Sequence, residues 1–298
     1  MRRQLVWALL AAVVVLVAAG AWQRHTRHAT ERSVVLIAGG DAGGLPRADA
    51  RTEGFDAKAL QAAVAMTRAR QAGGLLITRH GHLVVDSYSG SADSGTLIDG
   101  GEFSNTLLLL AVGIAVAQGG QPAPATVSHD PGELTALIVK ASGLGYPQFL
   151  SRNLWQPLNA APAQCSGIGI RARPLDWLRV AELLLHDGRF EGTQVVPPGW
   201  VKRLRPAAGG AERPGAGIYS RPVTTGAEPF ASDDTFFLRG PGGTRLWLVP
   251  RLDLTILRFS SSAAGVSDET RLPNAVIRAL RDRPRSSGVE LRDLVPNH

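Results

Sequence analysis

RPLDWLRVAELLLHDGRFEGTQVVPPGWV, residues 173–201, contains one apolar helix, Leu175 to His186, closed by Asp187-Gly188. It divides the chain into blocks of different character. Before it, Leu107 to Gln118 and Pro131 to Ser142 read as two further helices. After it, Thr235 to Leu238, Thr244 to Val249 and Leu254 to Phe259 read as strands, separated by Gly240-Pro241-Gly242-Gly243 and Pro250-Arg251-Leu252-Asp253. Strands also occur near the other end. Asp56 is a candidate N-cap for a helix whose Leu60, Ala63, Val64 and Thr67 share one face, and Gly73-Gly74 stops it. Leu75 to Thr78 and Leu83 to Tyr88 then flank the tight His80-Gly81 turn as a β-hairpin. Leu272 to Leu280 closes the pattern as a helix with Pro273 near its first turn. Strands at both ends and helices between them predict an antiparallel sheet shared by the two termini, with helices on its faces.

The 298 residues are 44% hydrophobic and 19% charged, which excludes a disordered polypeptide. A net charge of +7 invites a nucleic-acid reading. Residues 1–33, however, hold Arg2, Arg3, Arg24, Arg27 and Arg32 against Glu31, a net of +4, so only +3 is left for the rest, with no basic run. No nucleic-acid partner is expected. The uncharged run Leu5 to Trp22 must enter a membrane, either as a cleaved signal peptide with Ala19-Gly20-Ala21 as its processing site or as a retained anchor. Either way the body of the protein is expected to be periplasmic or extracytoplasmic, anchored in the inner membrane if the segment stays. The domain division expected is 1–33 export segment, 34–53 linker, 54–281 globular domain and 282–298 tail. Cys165, the only cysteine, reads as a small buried hydrophobe, and Trp155, Trp177, Trp200 and Trp247 read as core.

Several segments together resemble the serine β-lactamase-like superfamily, specifically its class C-related serine hydrolases. They are Gly54 to Gly90, Gly113-Ile114-Ala115-Val116-Ala117-Gln118-Gly119, Leu154-Trp155-Gln156-Pro157-Leu158, and above all Arg173 to Arg179, His186-Asp187-Gly188 and Val195 to Val201. Gly242-Gly243-Thr244 with Val249 to Leu254 is similar to that family's terminal hairpin. The resemblance implies a β-lactamase/transpeptidase-like α/β (α+β) fold. Its antiparallel sheet would be formed by both chain ends and flanked by helices, with the active site between sheet and helical lobe. It also implies a Ser-x-x-Lys turn at a helix start, a Tyr-x-Asn or Tyr-x-Ser motif on the lobe, and a Lys/His-Thr/Ser-Gly triplet on an inner strand. A serine hydroxyl is a poor nucleophile until a neighbouring base takes its proton, hence the lysine and tyrosine.

Those motifs are missing. The chain has three lysines, Lys58, Lys140 and Lys202, and the residues three positions before them are Phe55, Leu137 and Gly199. No Ser-x-x-Lys exists in the sequence. Counting back from Gly113, the resemblance places the nucleophile at Glu102 and the lysine at Asn105. Sliding Ser104 onto the nucleophile position would put Leu107 in place of the lysine. The tyrosine falls at Thr126 and its partner at Ser128, and none of Tyr88, Tyr146 and Tyr219 has Asn or Ser two residues on. The third motif falls at Leu238-Arg239-Gly240, where Arg239 can bind a carboxylate but cannot serve as a base. Only Gly120 to Ala125 separates Gly119 from Thr126, so the helical lobe is reduced and one wall of the cleft is expected to be short.

Other chemistry is weakly signalled. Glu102 with His129-Asp130 suggests a replacement acid–base pair, against a reading as solvated loop residues. His80 and His82 flank a turn with no third ligand at a recognisable spacing, so no metal and no cofactor is expected. Gly240-Pro241-Gly242-Gly243 lacks the helix and lysine of a phosphate cradle and reads as a hairpin turn. The expectation is a catalytically inactive homologue with a binding or scaffold role in the cell envelope, its partner an envelope protein or a peptidoglycan-type ligand, and the membrane through residues 5–22 if uncleaved. The alternative is an active esterase, amidase or peptidase using unconventional residues.

Overall fold

A computed structural model describes residues 33–68, 72–120, 128–206, 217–220, 227–260 and 269–282. The elements are β1 (Val35–Ile37), α1 (Ala57–Arg68), β2 (Ala72–Arg79), β3 (His82–Tyr88), β4 (Ile98–Asp99), α2 (Glu102–Gln118), α3 (Pro131–Ser142) and α4 (Tyr146–Leu150), which runs into a π-helical turn at Ser151–Trp155. There follow β5 (Ala163–Ser166), β6 (Gly169–Ala172), α5 (Pro174–Leu185), β7 (Arg189–Phe190), β8 (Thr193–Gln194), α6 (Trp200–Leu204), β9 (Ile218–Tyr219), β10 (Phe236–Arg239), β11 (Arg245–Val249), β12 (Leu254–Ser260) and α7 (Arg271–Arg278).

The expected shared sheet is present. Its order is β3-β2-β12-β11-β10-β9, antiparallel throughout, so the first hairpin pairs directly with the last strand. Helices cover both faces, and the strand side chains divide at period two. Leu75, Ile77, Phe237, Trp247, Val249 and Ile256 join one core with Leu60 of α1 and Val276 of α7. Leu76, Leu238, Leu246, Leu248 and Leu257 join the other core with α2 and α5. Burial on both faces explains why β11 and β12 read as continuous apolar runs rather than as an alternation.

Local signals fix several helix ends. Asp56 accepts the Ala59 amide at 2.9 Å and caps α1. At α3, Asp130 accepts the Glu133 amide at 2.9 Å, Pro131 fills the first turn, and Gly143 closes the helix at φ 73°. The stretch that dominates the sequence pattern is a buried ion network. Asp176, fully buried on α5, accepts the Ala161 amide at 3.0 Å, Arg179 Nη1 at 3.0 Å and Arg173 Nε at 3.1 Å. Arg179 in turn donates to the Gly43 carbonyl.

Two expectations require correction. The stretch 34–53 is not a free linker: β1 pairs with β5, and Leu45 and Glu53 are buried. Its apolar residues have a sheet edge and a core to enter, which glycine-rich composition concealed. Second, α2 begins at Glu102, five residues before the apolar run, because polar residues of a first turn carry no periodic signal. Cys165 and the four tryptophans are buried as expected. Among the described residues no helix is long and apolar enough to cross a membrane; Leu5 to Trp22, Thr126 and residues 283–298 lie outside the described residues.

Candidate functional site

The start of α2 and the end of β10 converge. Gly101 precedes the helix at φ 51°, and a Cβ there would stand 2.6 Å from the Pro241 ring, so the turn after β10 is packed against the helix entry. A Cβ on Gly240 would meet the Gly100 carbonyl at 3.4 Å, while the Gly240 amide donates to the Thr244 carbonyl at 2.9 Å. Glu102 and Gly240, assigned to the first and third motif positions by spacing, are therefore neighbours.

The carboxylate of Glu102 is engaged. Tyr219, on β9 and paired with Phe237 of β10, donates its hydroxyl to Glu102 Oε2 at 2.6 Å. The Arg239 guanidinium lies over the Tyr219 ring, 5.2 Å from its centroid. Arg239 Nε stands 3.9 Å from Glu269 Oε1, and Arg245 donates to that same oxygen from Nε at 3.2 Å and Nη2 at 3.0 Å. The result is an array of two carboxylates, two guanidinium groups and a phenol. Burial pulls Arg245 down from the usual guanidinium range, with Glu269 opposing it. Arg239 Nε is shielded from solvent without a hydrogen-bond partner among the described residues.

The other motif positions fare differently. Asn105 is half-buried one turn along α2. Ser104 is buried, and its Oγ accepts the Ile170 amide at 3.0 Å, which commits the hydroxyl to holding β6. Ser128 donates to Glu133 Oε2 at 2.5 Å and accepts the Asp130 amide at 3.1 Å, which makes it part of the α3 cap. His129 and Asp130 are exposed and precede α3, with Asp130 as its N-cap, as the solvated-loop reading expects, whereas Glu102 is the half-buried first residue of α2. Tyr219 carries no motif signal in the sequence, because no Asn or Ser stands two residues after it and β9 reaches the site by strand pairing. Beside the array, a cavity of about 370 Å³ opens between residues 91–99 and the turn after β10, lined by Asp99, Pro241, Thr244, Phe259 and Ser260.

A second polar cluster lies at the opposite end of the central strands. Glu182 of α5 is buried and accepts Thr78 Oγ1 at 2.5 Å; that hydroxyl also meets Thr255 Oγ1 at 2.5 Å. His186 Nδ1 lies 2.9 Å from the Glu182 carbonyl and 3.7 Å from its Oε2, while Nε2 lies 2.9 Å from Asp253 Oδ1. Burial pushes the Glu182 carboxyl up, and Asp253 raises His186 while His186 lowers Asp253. Nearby, Glu53 stands between His80 Nδ1 at 2.8 Å and His82 Nδ1 at 3.0 Å, a carboxylate that spacing did not connect to them.

Three solved structures show the same overall arrangement. A β-lactamase from Mycobacterium bovis is 15% identical with a TM-score of 0.56, over 72% of this chain and 98% of that one. A family VIII carboxylesterase is 12% identical with a TM-score of 0.55, over 75% and 97%. A penicillin-binding protein homologue from Caulobacter crescentus is 14% identical with a TM-score of 0.51, over 75% and 97%. No protein-family model matches the sequence, and no curated protein matches it. The likeness is one of fold: this chain has the β-lactamase/transpeptidase-like fold of the serine hydrolases it resembles.

Proposed function

We propose that this chain is a non-hydrolytic member of the serine β-lactamase-like fold, an envelope protein that binds an anionic, peptidoglycan-type ligand or partner instead of cleaving an acyl bond. The observation that carries the reading is the Glu102–Tyr219 hydrogen bond at the position assigned to the nucleophile. Glu102 has no hydroxyl to be deprotonated into an attacking alkoxide, and Ser104 is buried with its Oγ accepting the Ile170 amide. Loss of the nucleophile alone lowers turnover by on the order of a millionfold in a serine protease. Arg239, whose side chain is 33% exposed just before the turn after β10, supplies a cation for a carboxylate. The apolar segment 5–22 would place this domain at the envelope surface.

The test is labelling of purified protein with a fluorescent penicillin and a fluorophosphonate. Neither should react stoichiometrically, and a label lost on Ser104→Ala would overturn the proposal. One observation favours hydrolysis by unconventional groups: Tyr219 and Glu102 are a phenol and carboxylate at hydrogen-bond distance, a pair able to exchange a proton. That reading requires turnover of nitrophenyl esters which both Glu102→Gln and Tyr219→Phe abolish.

A further inference from the structure

We propose that Glu182, His186 and Asp253 form a binding site for a divalent transition-metal ion of the zinc type, at the end of the sheet opposite Glu102. One ligand atom from each of the three residues lies within 4.8 Å of those of the other two. With bonds of about 2.1 Å, the ligand atoms of a tetrahedral ion stand about 3.4 Å apart, so modest side-chain adjustment brings all three onto one ion.

The hydrogen bonding around the cluster prepares it in the way metal sites are prepared. The Glu182 carbonyl can only accept, so His186 Nδ1, at 2.9 Å, carries a proton and donates it there. With Nδ1 so engaged, Nε2 is the nitrogen left for an ion, whose binding would displace the proton that Nε2 shares with Asp253. The hydroxyl of Thr78 holds Glu182 Oε1, leaving Oε2 on the His186 side. Nε2 and Asp253 Oδ1 are 2.9 Å apart, yet Oδ1 is shielded from solvent and has no well-aligned hydrogen bond among the described residues. The site has a floor and an entrance: the Glu182 side chain is 6% exposed, His186 42% and Asp253 33%. Three protein ligands leave a fourth position for water. The ion would pin the end of α5 to the turn between β11 and β12, and its charge would offset the buried Glu182 carboxylate. This inference does not depend on the function proposed for the Glu102 region.

The experiment uses the full-length protein, stripped with chelator and exchanged into chelator-free buffer at about pH 7.5. It should retain one Zn2+ per chain after gel filtration, and its melting temperature should rise with Zn2+, fall back with EDTA and ignore Mg2+. His186→Gln and Asp253→Asn should each weaken Zn2+ binding more than about tenfold and make melting insensitive to EDTA. Asn is suited to position 253, whose φ is 44°. The double variant His80→Gln/His82→Gln should bind as wild type does. The proposal fails if wild type takes up no Zn2+, if uptake survives in both ligand variants, or if it vanishes in the His80/His82 variant. Should both ligand variants unfold, Co2+ on wild-type protein decides: strong visible bands of a four-coordinate ion support the site, and the weak bands of hydrated Co2+ overturn it.

Discussion

Asp176 shows how a buried charge is spent on architecture. It is fully buried yet satisfied by one amide and two guanidinium groups, so its charge is matched on every side. Replacing it by alanine leaves Arg179, whose side chain is 3% exposed, without its partner. The expected loss is about 3–5 kcal/mol in urea unfolding of Asp176→Ala, while the exposed-pair variant Lys202→Ala should change stability by less than about 1 kcal/mol. Cys165 is the other residue with a direct test. Burial in an apolar setting pushes its thiol up to about 11. It should therefore resist a thiol reagent such as Ellman's at pH 8 in the native state and react with it promptly once the chain is unfolded.

At the scale of elements, α2 runs through the centre of one core. It is buried along almost its whole length, and its one glycine in that run, Gly113, lies under Trp200 of α6. A Cβ on Gly113 would stand 2.5 Å from the Trp200 indole, whose Nε1 donates to the Leu109 carbonyl at 2.9 Å. Gly113→Ala should improve helix propensity yet destabilise the protein by about 1–3 kcal/mol through overpacking, read as a lowered melting temperature with Trp fluorescence shifted to the red. The sequence made α1, α3 and α5 legible because caps and apolar spacing are local: Asp56 and Asp187-Gly188 mark ends of α1 and α5, and the apolar spacing of Pro131 to Ser142 marks α3. It left the first turn of α2 and all of β1 unread. Glu102 to Thr106 carry no apolar period, and Val35 to Ile37 become a strand only because β5 offers an edge.

For the molecule as a whole, the closing interaction joins positions far apart in the chain. Arg79, at the end of β2, donates to the Glu53 carbonyl at 2.5 Å and to both carboxylate oxygens of Asp282 at 2.9 and 2.7 Å, which ties the C-terminal helix region to the first hairpin. Hydrogen bonding to Arg79 holds the Asp282 carboxyl below its ordinary range. A carboxyl with a depressed folded-state value contributes stability above the ordinary value of about 3.9, and loses it as pH falls through the lower folded one. Asp282 is half exposed, so solvent screening limits the effect to about 1 kcal/mol or less. Asp282→Asn should thus be less stable than wild type at pH 7, with the difference shrinking as acid titration proceeds below about pH 4.

By itself the sequence determined helices α1, α2, α3, α5 and α7 and strands β2, β3 and β10 to β12, the sharing of the sheet by the two chain ends, and the absence of a Ser-x-x-Lys turn, since each depends on residue type and spacing along the chain. The tertiary structure alone decided what surrounds Glu102 and what gathers at the other end of the sheet. Tyr219 reaches Glu102 across 117 residues, and Glu182 and His186 meet Asp253 through the packing of α5 on the sheet. Spacing carries no trace of such encounters, because strand pairing and helix packing bring together side chains whose separation along the chain is arbitrary.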